Sequence, residues 1–297
     1  MKFFIPSIIL MSLASQPASA QDEAPLTAAN VMERAEPTDW QAFDPDNLLY
    51  MEFKAGTVVI ALSPEFTPGH TENIKKLASE HFYDGLHIYR VQENYVVQWG
   101  DFAGEKDVET AKRAIAAEFE TENAQKLPFT PLPGPDGYAA QVGFSGPFPA
   151  AKTEDGSLAW MLHCPGAVGM ARDVAPDSGG TEIYAVIGQA PRHLDRNVTV
   201  FGRVISGMEH FSTLKRGHEA LGFFADEADW TPIKSIRLGS EIADADRQDF
   251  EYLRTDTELF QDLVAARTNR REEWFRYAAG HVDVCNMPVP IRAIEKN

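Results

Sequence analysis

The stretch that decides the fold spans residues 82–101 and reads FYDGLHIYRVQENYVVQWGD. Two runs within it, Leu86–Val91 and Tyr95–Gln98, are rich in aromatic and β-branched residues, a composition typical of strands. Tyr83-Asp84-Gly85, just before them, carries the residues at which a preceding helix would end. We therefore predict a helix that stops near residue 85 and two strands that follow it directly.

The pattern of short strands continues on both sides of this stretch. Tyr50–Phe53 and Thr57–Leu62 are two β-rich runs joined at Ala55-Gly56, which predicts a hairpin. Pro68 then starts the helical pattern that ends near residue 85. Further strands are predicted at Leu158–His163, Ala167–Ala171, Glu182–Ile187, Asn197–Ile205 and Ile233–Leu238. Many short strands with few helices favour a closed antiparallel barrel or a sandwich.

The remaining segments differ in composition. Residues 104–120 are rich in Ala, Glu and Lys and predict a helix, and a short one is expected at Gly207–Lys215. Leu127–Ala150 is dense in Pro and Gly, so we expect a long loop, ordered or partly mobile. Thr255 and Glu258 fit a capping box at the start of a C-terminal helix. The side chains expected to face a common core from this region are Leu259, Phe260, Leu263, Val264 and Trp274.

Charge limits the classes of partner. Acidic residues outnumber basic ones 44 to 27, for a formal net charge of −17. Nucleic acids and anionic membrane surfaces are bound through Lys and Arg, so this excess of carboxylates argues against both. No run of about twenty apolar residues exists, and no stable membrane span is predicted.

The first twenty residues fit a signal peptide. Lys2 supplies a positive start, Phe3–Leu13 an apolar run, and Pro17–Ala20 a cleavage site of small residues. A short helix of the folded domain is the weaker alternative. We expect an exported protein, periplasmic or secreted, with residues 21–48 as a polar N-terminal segment.

Cys164 and Cys285 are the two cysteines of the chain. In an oxidising compartment they could form one disulfide, tying the C-terminal part to the main domain. Two free buried thiols are the alternative, because the sequence does not supply the geometry. Two thiols are too few for a thiolate metal site, and the eight histidines show no metal-binding spacing, so no metal is predicted.

Three stretches, taken in chain order, resemble one known family. The first is Val58–Leu62 with Thr67-Pro68 and Thr71–Ile74, and the second is the stretch 82–101, similar to FYDG…F-H-R…F-M-x-Q-G-G-D. The third is Gly169–Arg172, Ser178–Tyr184, His193–Asp195 and Val200–Val204, similar to S-M-A-N…N-S-G-S-Q-F-F…W-L-D-G…V-F-G-x-V. Their order and spacing resemble the cyclophilin-type peptidyl-prolyl cis-trans isomerases. The resemblance implies a cyclophilin-like domain over residues 49–245, an insertion at about 102–157, and a C-terminal helical extension at 246–297.

This resemblance implies a mainly β fold, a closed eight-stranded antiparallel barrel capped by two helices. It also implies an enzyme that needs no cofactor and isomerises Xaa-Pro bonds in peptides or unfolded exported proteins. Arg90 stands at the family's catalytic position, where its N–H donors would stabilise the twisted amide at the proline nitrogen. The peptide-binding positions implied are Tyr95, Val96, Gln98, Ala171, Arg172, Glu182, Tyr184, His193, Leu194 and Val198. Without the family, these residues would be ordinary core or surface positions of a barrel.

Several of these positions depart from the family pattern. Glu182 stands where the family has glutamine, and a pairing with Arg90 would either orient the guanidinium or divert its donors. Arg172 replaces an asparagine, and His193 replaces a tryptophan. We therefore expect a slower or narrower isomerase than a typical member. The alternative is a non-catalytic chaperone or adaptor that keeps the proline groove. The sequence does not indicate the oligomeric state.

Overall fold

A computed structural model describes residues 26–296, so the predicted signal peptide lies outside the described residues. Within this part no helix has the length and apolar character needed to cross a membrane. The strands in chain order are β1 Trp40–Ala42, β2 Leu48–Phe53, β3 Gly56–Leu62, β4 His87–Val91, β5 Val96–Gly100, β6 Thr130–Pro131, β7 Gln141–Ser145, β8 Phe148–Lys152, β9 Ala159–Met161, β10 Ala167–Met170, β11 Ile183–Val186, β12 Val200–Ser206, β13 Thr231–Leu238, β14 Phe250–Leu253 and β15 Ile291–Ala293. The α-helices are α1 Ala28–Met32, α2 Pro68–Ser79, α3 Met208–Ser212 and α4 Glu258–Thr268.

Eight of these strands close into one antiparallel barrel, in the order β10-β11-β5-β4-β13-β2-β3-β12. The predicted mainly β fold with a closed eight-stranded barrel is confirmed. Side chains alternate across each strand, so Val97 and Trp99 of β5 lie in the barrel core while Gln98 faces outward. Helix α2 packs on β13 and helix α3 on β3.

The helix predicted for residues 104–120 is wrong. This segment is irregular, and several of its backbone groups bond to side chains from elsewhere in the chain. Glu80, at the end of α2, accepts hydrogen bonds from the backbone N–H groups of residues 109, 110 and 111 at 3.0, 2.6 and 2.9 Å. Asn73 of α2 bonds both the N–H and the C=O of Lys112 at 2.8 and 2.9 Å. Tertiary side-chain bonds therefore override a helical composition.

The predicted loop over Leu127–Ala150 is also wrong in part. It contains β6, β7 and most of β8, which join β9 in a four-stranded antiparallel sheet. Ser145 pairs with Phe148 across the two-residue turn Gly146-Pro147, where Gly146 has a φ of 53°. Two of the Gly and Pro residues that suggested an irregular loop, Gly146 and Pro147, thus form the turn of a hairpin.

A second hydrophobic core lies beside the barrel. The N-terminal segment, the insertion and the C-terminal extension all contribute to it, for example through Val31, Phe144 and Phe260. Strands β1, β14 and β15 form a three-stranded sheet over it. Three segments that are distant in sequence therefore share one core, which the strand pattern alone did not indicate.

The C-terminal helix exists, but its start and its predicted face differ in detail. Its N-cap is Thr257, whose hydroxyl accepts from the N–H of Phe260 at 3.2 Å. The hydroxyl of Thr255 donates instead to the carbonyl of Gly146. Phe260, Leu263 and Val264 are buried as predicted, whereas Trp274 is 83% exposed and lies beyond the helix. The prediction that Trp274 faces the core is wrong, because the helix ends at Thr268.

One disulfide joins Cys164 to Cys285 across a sequence separation of 121 residues. Cys164 follows β9, and Cys285 lies in the C-terminal extension. Both sulfur-bearing residues pack in or against the second core. The bond therefore ties the extension to the segment that leads into the barrel.

We expect Cys285→Ser to lower the free energy of unfolding by about 2–5 kcal/mol, because a long loop is no longer closed in the unfolded chain. Urea unfolding with and without reductant measures this. The reductant should lower the midpoint of the wild type and leave that of the variant unchanged. Equal midpoints for the oxidised wild type and the variant would contradict the expectation.

Candidate functional site

Strand register places the central residues of the site in one row across the outer face of the barrel. Arg90 of β4 pairs with Gln98 of β5, which pairs with Tyr184 of β11, which pairs with Gly169 of β10. Tyr89 sits at a register shift in β4, and this shift brings Arg90 opposite Gln98. A Cβ on Gly169 would lie 2.4 Å from the Tyr184 hydroxyl oxygen, so glycine makes room for that ring.

Arg90 is held by three hydrogen bonds. Its Nε donates to the carbonyl of Leu221 at 2.7 Å, and its terminal nitrogens donate to the Oε1 atoms of Gln98 and Gln92 at 2.9 and 2.6 Å. The guanidinium carbon also lies 5.4 Å from the ring centroid of Phe223. Since a guanidinium has five N–H groups, two remain for a ligand within the described part of the chain. Burial lowers the pKa of Arg90, a change that leaves so strong a base protonated.

Glu182 does not pair with Arg90, which corrects the pairing expected from the sequence. Its Oε2 accepts from the hydroxyl of Tyr89 at 2.6 Å, and that hydroxyl accepts from the Nε2 of Gln98 at 2.6 Å. The donors therefore run in one direction, from Arg90 to Gln98 to Tyr89 to Glu182. This chain of bonds fixes the amide of Gln98 with its oxygen toward Arg90.

The carboxyl of Glu182 lies over Gly100, where a Cβ would meet it at 2.2–2.5 Å. Burial raises the pKa of Glu182 to about 7, and the neighbouring Asp101 adds to the rise. Hydrogen bonds to the carboxylate oppose the rise without cancelling it. The group therefore changes charge near neutral pH.

We expect Glu182→Gln to remove a loss of stability that the wild type shows between pH 4.5 and 7. In that interval the folded chain keeps the proton that the unfolded chain releases, so the wild type is destabilised as the pH rises. The full effect corresponds to about 3 kcal/mol. Urea unfolding of both proteins at pH 4.5 and pH 8 measures it. A wild-type-minus-variant difference that is independent of pH would contradict the raised pKa.

The predicted proline pocket is partly assembled beside this row. Val96 and Tyr184 belong to one buried cluster on the outside of the barrel, with Tyr95, Ala171 and Val198 packed against it. Leu194 is half-buried in a short 3-10 turn, whereas the neighbouring His193 is exposed. The structure thus brings together five of the predicted apolar positions next to Arg90, whose guanidinium lies 5.9 Å from the Tyr95 ring centroid.

The hydroxyl of Tyr184 belongs to a buried polar network. Its hydroxyl lies 2.8 Å from Nε2 of His163, and Nδ1 of that histidine lies 3.0 Å from Asp195. Because a carboxylate only accepts, Nδ1 donates to Asp195, and in the neutral ring Nε2 then accepts from Tyr184. Arg192 bonds Asp195 at 2.5 Å and both oxygens of Asp136 at 3.0 Å. Burial raises the pKa of Tyr184, and Tyr95 and Asp195 add to the rise, so the ring stays neutral.

Arg172 is bonded to backbone carbonyls. Its guanidinium donates to the carbonyl of Asn197 at 3.0 and 2.8 Å, and to those of Asp173 and Val174 at 2.7 and 3.1 Å. The ring of Phe119 lies 5.4 Å from its guanidinium carbon. These contacts hold the side chain in place and use four of its five N–H donors before any peptide arrives.

Sequence reasoning missed several residues of the site, among them Tyr89, Gln92, His163, Leu221 and Phe223. Tyr89 is adjacent to Arg90, but its place in the site depends on the register shift between β4 and β5, which the sequence does not show. His163 gave no spacing signal among the eight histidines of the chain. Leu221 and Phe223 belong to an irregular segment that the strand pattern left unassigned, and they reach Arg90 only through the fold.

Comparison with known proteins gives consistent results. Residues 48–237 match the family model described as cyclophilin type peptidyl-prolyl cis-trans isomerase/CLD. A probable peptidyl-prolyl cis-trans isomerase of Brucella suis biovar 1 (strain 1330) is 31% identical over 60% of this chain and 76% of its own length. Peptidyl-prolyl cis-trans isomerase B of Bacillus subtilis (strain 168) is 31% identical over 52% of this chain and 81% of its own.

A solved structure extends this similarity beyond the barrel. The cyclophilin AquaCyp293 from Hirschia baltica superposes with a TM-score of 0.71 at 28% identity. The match covers 91% of this chain and 98% of that one. Such coverage reaches well past residues 48–237, so the second core is included in the similarity.

Proposed function

The chain belongs to the cyclophilin-type peptidyl-prolyl cis-trans isomerases, and from this premise we propose that Arg90 carries the catalysis. The observation that supports the proposal is the row itself. Arg90 stands beside an apolar cluster, held by Gln98, Gln92 and the Leu221 carbonyl, with two N–H groups left for a ligand.

Isomerisation of an Xaa-Pro bond requires little of the catalyst beyond a hydrogen-bond donor held in a fixed position. Rotation about an Xaa-Pro amide faces a barrier of roughly 18–20 kcal/mol because of resonance. At the top of that barrier conjugation is lost and the proline nitrogen regains a lone pair. A guanidinium N–H aimed at this lone pair stabilises the twisted state more than either planar one, which is the condition for catalysis.

We propose that the proline ring lies on the cluster of Val96, Tyr184 and Val198, with Leu194 at its edge. An apolar ring in that position would place the amide nitrogen toward Arg90, since Arg90 and Gln98 occupy the same outer face. The hydrogen bond from Tyr184 to His163 fixes the tyrosine ring that forms the base of the cluster.

Glu182 is proposed to slow the reaction through Tyr89 and Gln98. An ionised carboxylate at the end of this chain of donors polarises the Gln98 oxygen and strengthens its bond to Arg90. We expect Glu182→Gln to raise turnover by about twofold to tenfold at pH 8, where the wild-type group is ionised, a range that follows from a change of one hydrogen bond. At pH 5.5, where the wild-type carboxyl is protonated, turnover of the two proteins should agree. No difference at either pH would contradict the proposal.

The clients are proposed to be unfolded exported proteins, in a periplasm or outside the cell. Two features support this: the signal-like residues 1–20, and the disulfide between Cys164 and Cys285, a bond that oxidising compartments favour. The net charge of −17 supports peptide and protein clients over nucleic acid.

This function can be tested on a protein client whose refolding has a slow phase limited by cis-trans isomerisation of an Xaa-Pro bond. An isomerase accelerates the slow phase at substoichiometric amounts, because each molecule acts repeatedly. A non-catalytic chaperone, the alternative that the departures at Glu182 and Arg172 favour, changes the yield only near equimolar amounts. The second result would replace the isomerase proposal with peptide binding.

A further inference from the structure

A cavity of about 490 Å³ lies between the barrel and the second core. It is bounded by the loop Ser63–Glu65 after β3, the turn Gly146-Pro147 between β7 and β8, and the end of β14 at Tyr252. This cavity is not lined by Arg90, Gln98, Tyr184 or Gly169, the row of residues at the candidate site. Its volume falls within the range of roughly 300–1,000 Å³ that is usual for ligand pockets.

The walls are aromatic and proline-rich. The rings of Phe43 and Tyr252 lie 5.0 Å apart between centroids, and Phe129 and Phe148 face the same space. Three prolines also line it: Pro64, Pro128 and Pro147. Grooves with aromatic walls are the usual receptors for proline-rich segments in the polyproline II conformation, since such segments bind at low entropic cost.

Two hydroxyls that make no hydrogen bond within residues 26–296 line this cavity, on residues that are otherwise buried. Ser145 is 3% exposed and Tyr252 is 8% exposed, and neither hydroxyl has a hydrogen-bond partner within residues 26–296. A polyproline II backbone has no internal hydrogen bonds, so its carbonyls need donors from the receptor. The two hydroxyls can supply them.

The rim of the cavity is acidic. Asp44, Glu65 and Asp256 line it, against one basic residue, Arg254, which is already bonded to Asp256 at 3.1 and 3.0 Å. Glu65 has no ion pair or side-chain hydrogen bond within the described residues. Burial raises the pKa of Tyr252, and the charges of Asp256 and Glu65 add to the rise. The chemistry that complements this rim is cationic.

We propose that this cavity is a second binding site, which takes a proline-rich segment of a client protein carrying lysine or arginine. The prolines lie against the aromatic walls, the hydroxyls of Ser145 and Tyr252 donate to the backbone, and the cation lies near Glu65. A segment of this chain or a second copy is a poorer occupant, because residues 21–25 are acidic and the chain carries a charge of −17. The site does not depend on Arg90 or on the isomerase reaction.

Fluorescence anisotropy with a labelled peptide Arg-Pro-Leu-Pro-Pro-Leu-Pro tests this. Two control peptides replace Arg by Glu or every Pro by Ala. The folded chain should bind the first peptide, and each control should bind at least fivefold more weakly. An excess of a short neutral Xaa-Pro peptide should not displace it, because that peptide occupies the isomerase site.

Two variants locate the site. Glu65→Lys should weaken binding about tenfold by placing a cation beside the ligand's cation. Tyr252→Phe should weaken it about threefold to tenfold through one lost hydrogen bond, without loss of stability because the hydroxyl has no partner among residues 26–296. Isomerisation of a short neutral peptide should be unchanged in both.

Three results would overturn the proposal. One is the absence of binding up to about 1 mM, and another is displacement by the short neutral peptide, which would place the ligand at the isomerase site. The third is unchanged affinity in both variants. Concentration-dependent dimerisation that Glu65→Lys abolishes, with no peptide binding, would assign the cavity to a second copy of the chain.

Discussion

Replacing Arg90 by alanine is expected to lower kcat/KM for a short Xaa-Pro peptide by about 100-fold to 1,000-fold, the usual effect of removing one preorganised donor. The loss should fall mainly on kcat, because the donor is needed at the twisted amide and the apolar cluster still binds the ring. The coupled isomerisation assay measures both parameters. A fall in affinity alone, with kcat unchanged, would assign Arg90 to binding.

Two further variants sharpen this result. Arg90→Lys keeps the charge but loses the planar guanidinium that donates to Gln98 and Gln92 at the same time. We therefore expect an activity between that of the wild type and that of the alanine variant. Arg216→Ala is the matched control, since Arg216 is also half-buried and pairs at 2.7 Å with Glu93, a residue that follows β4. It should keep wild-type activity.

Replacing Arg192 by leucine is expected to destabilise the fold by about 3–5 kcal/mol, because it leaves Asp136 and Asp195 buried without their common partner. Arg192 is 5% exposed and both carboxylates are almost as buried. Burial disfavours the charged guanidinium, but the bonds to Asp136 and Asp195 outweigh it and raise the pKa of Arg192. Urea unfolding at pH 7 measures the change.

The neighbouring Arg196 provides the control for this prediction. It pairs with Glu120 at 2.6 Å, but the two side chains are 44% and 32% exposed. Such pairs contribute about 0–1 kcal/mol, so Arg196→Leu should change stability little. Equal costs for the two variants would show that the buried network around His163 and Tyr184 is not what stabilises this part of the fold.

The barrel and the row of the site could be predicted because their signals are local. Alternating apolar residues in β3, β5 and β11 fix which side chains face inward, and a short sequence stretch around Arg90 carries the family pattern. Gln98 and Tyr184 follow from the same alternation, because strand register then sets their distance from Arg90.

The rest depends on contacts between distant segments, which no local pattern encodes. Residues 104–120 have a helical composition, yet Glu80 and Asn73 satisfy their backbone groups in an irregular path. The second core unites residues as distant as Val31 and Phe260. Glu182 was expected beside Arg90, but its carboxylate accepts a hydrogen bond from Tyr89, the residue before Arg90 in β4.

The most direct test of catalysis by Arg90 is exchange spectroscopy on a saturating Xaa-Pro peptide bound to the wild-type chain. The uncatalysed bond interconverts over roughly tens to hundreds of seconds. We expect cis-trans exchange of the bound peptide within a second, and a return to the uncatalysed rate in Arg90→Ala while chemical shifts still report binding. A peptide that binds the wild type yet exchanges no faster than in free solution would contradict catalysis by Arg90 and leave a proline-peptide-binding protein.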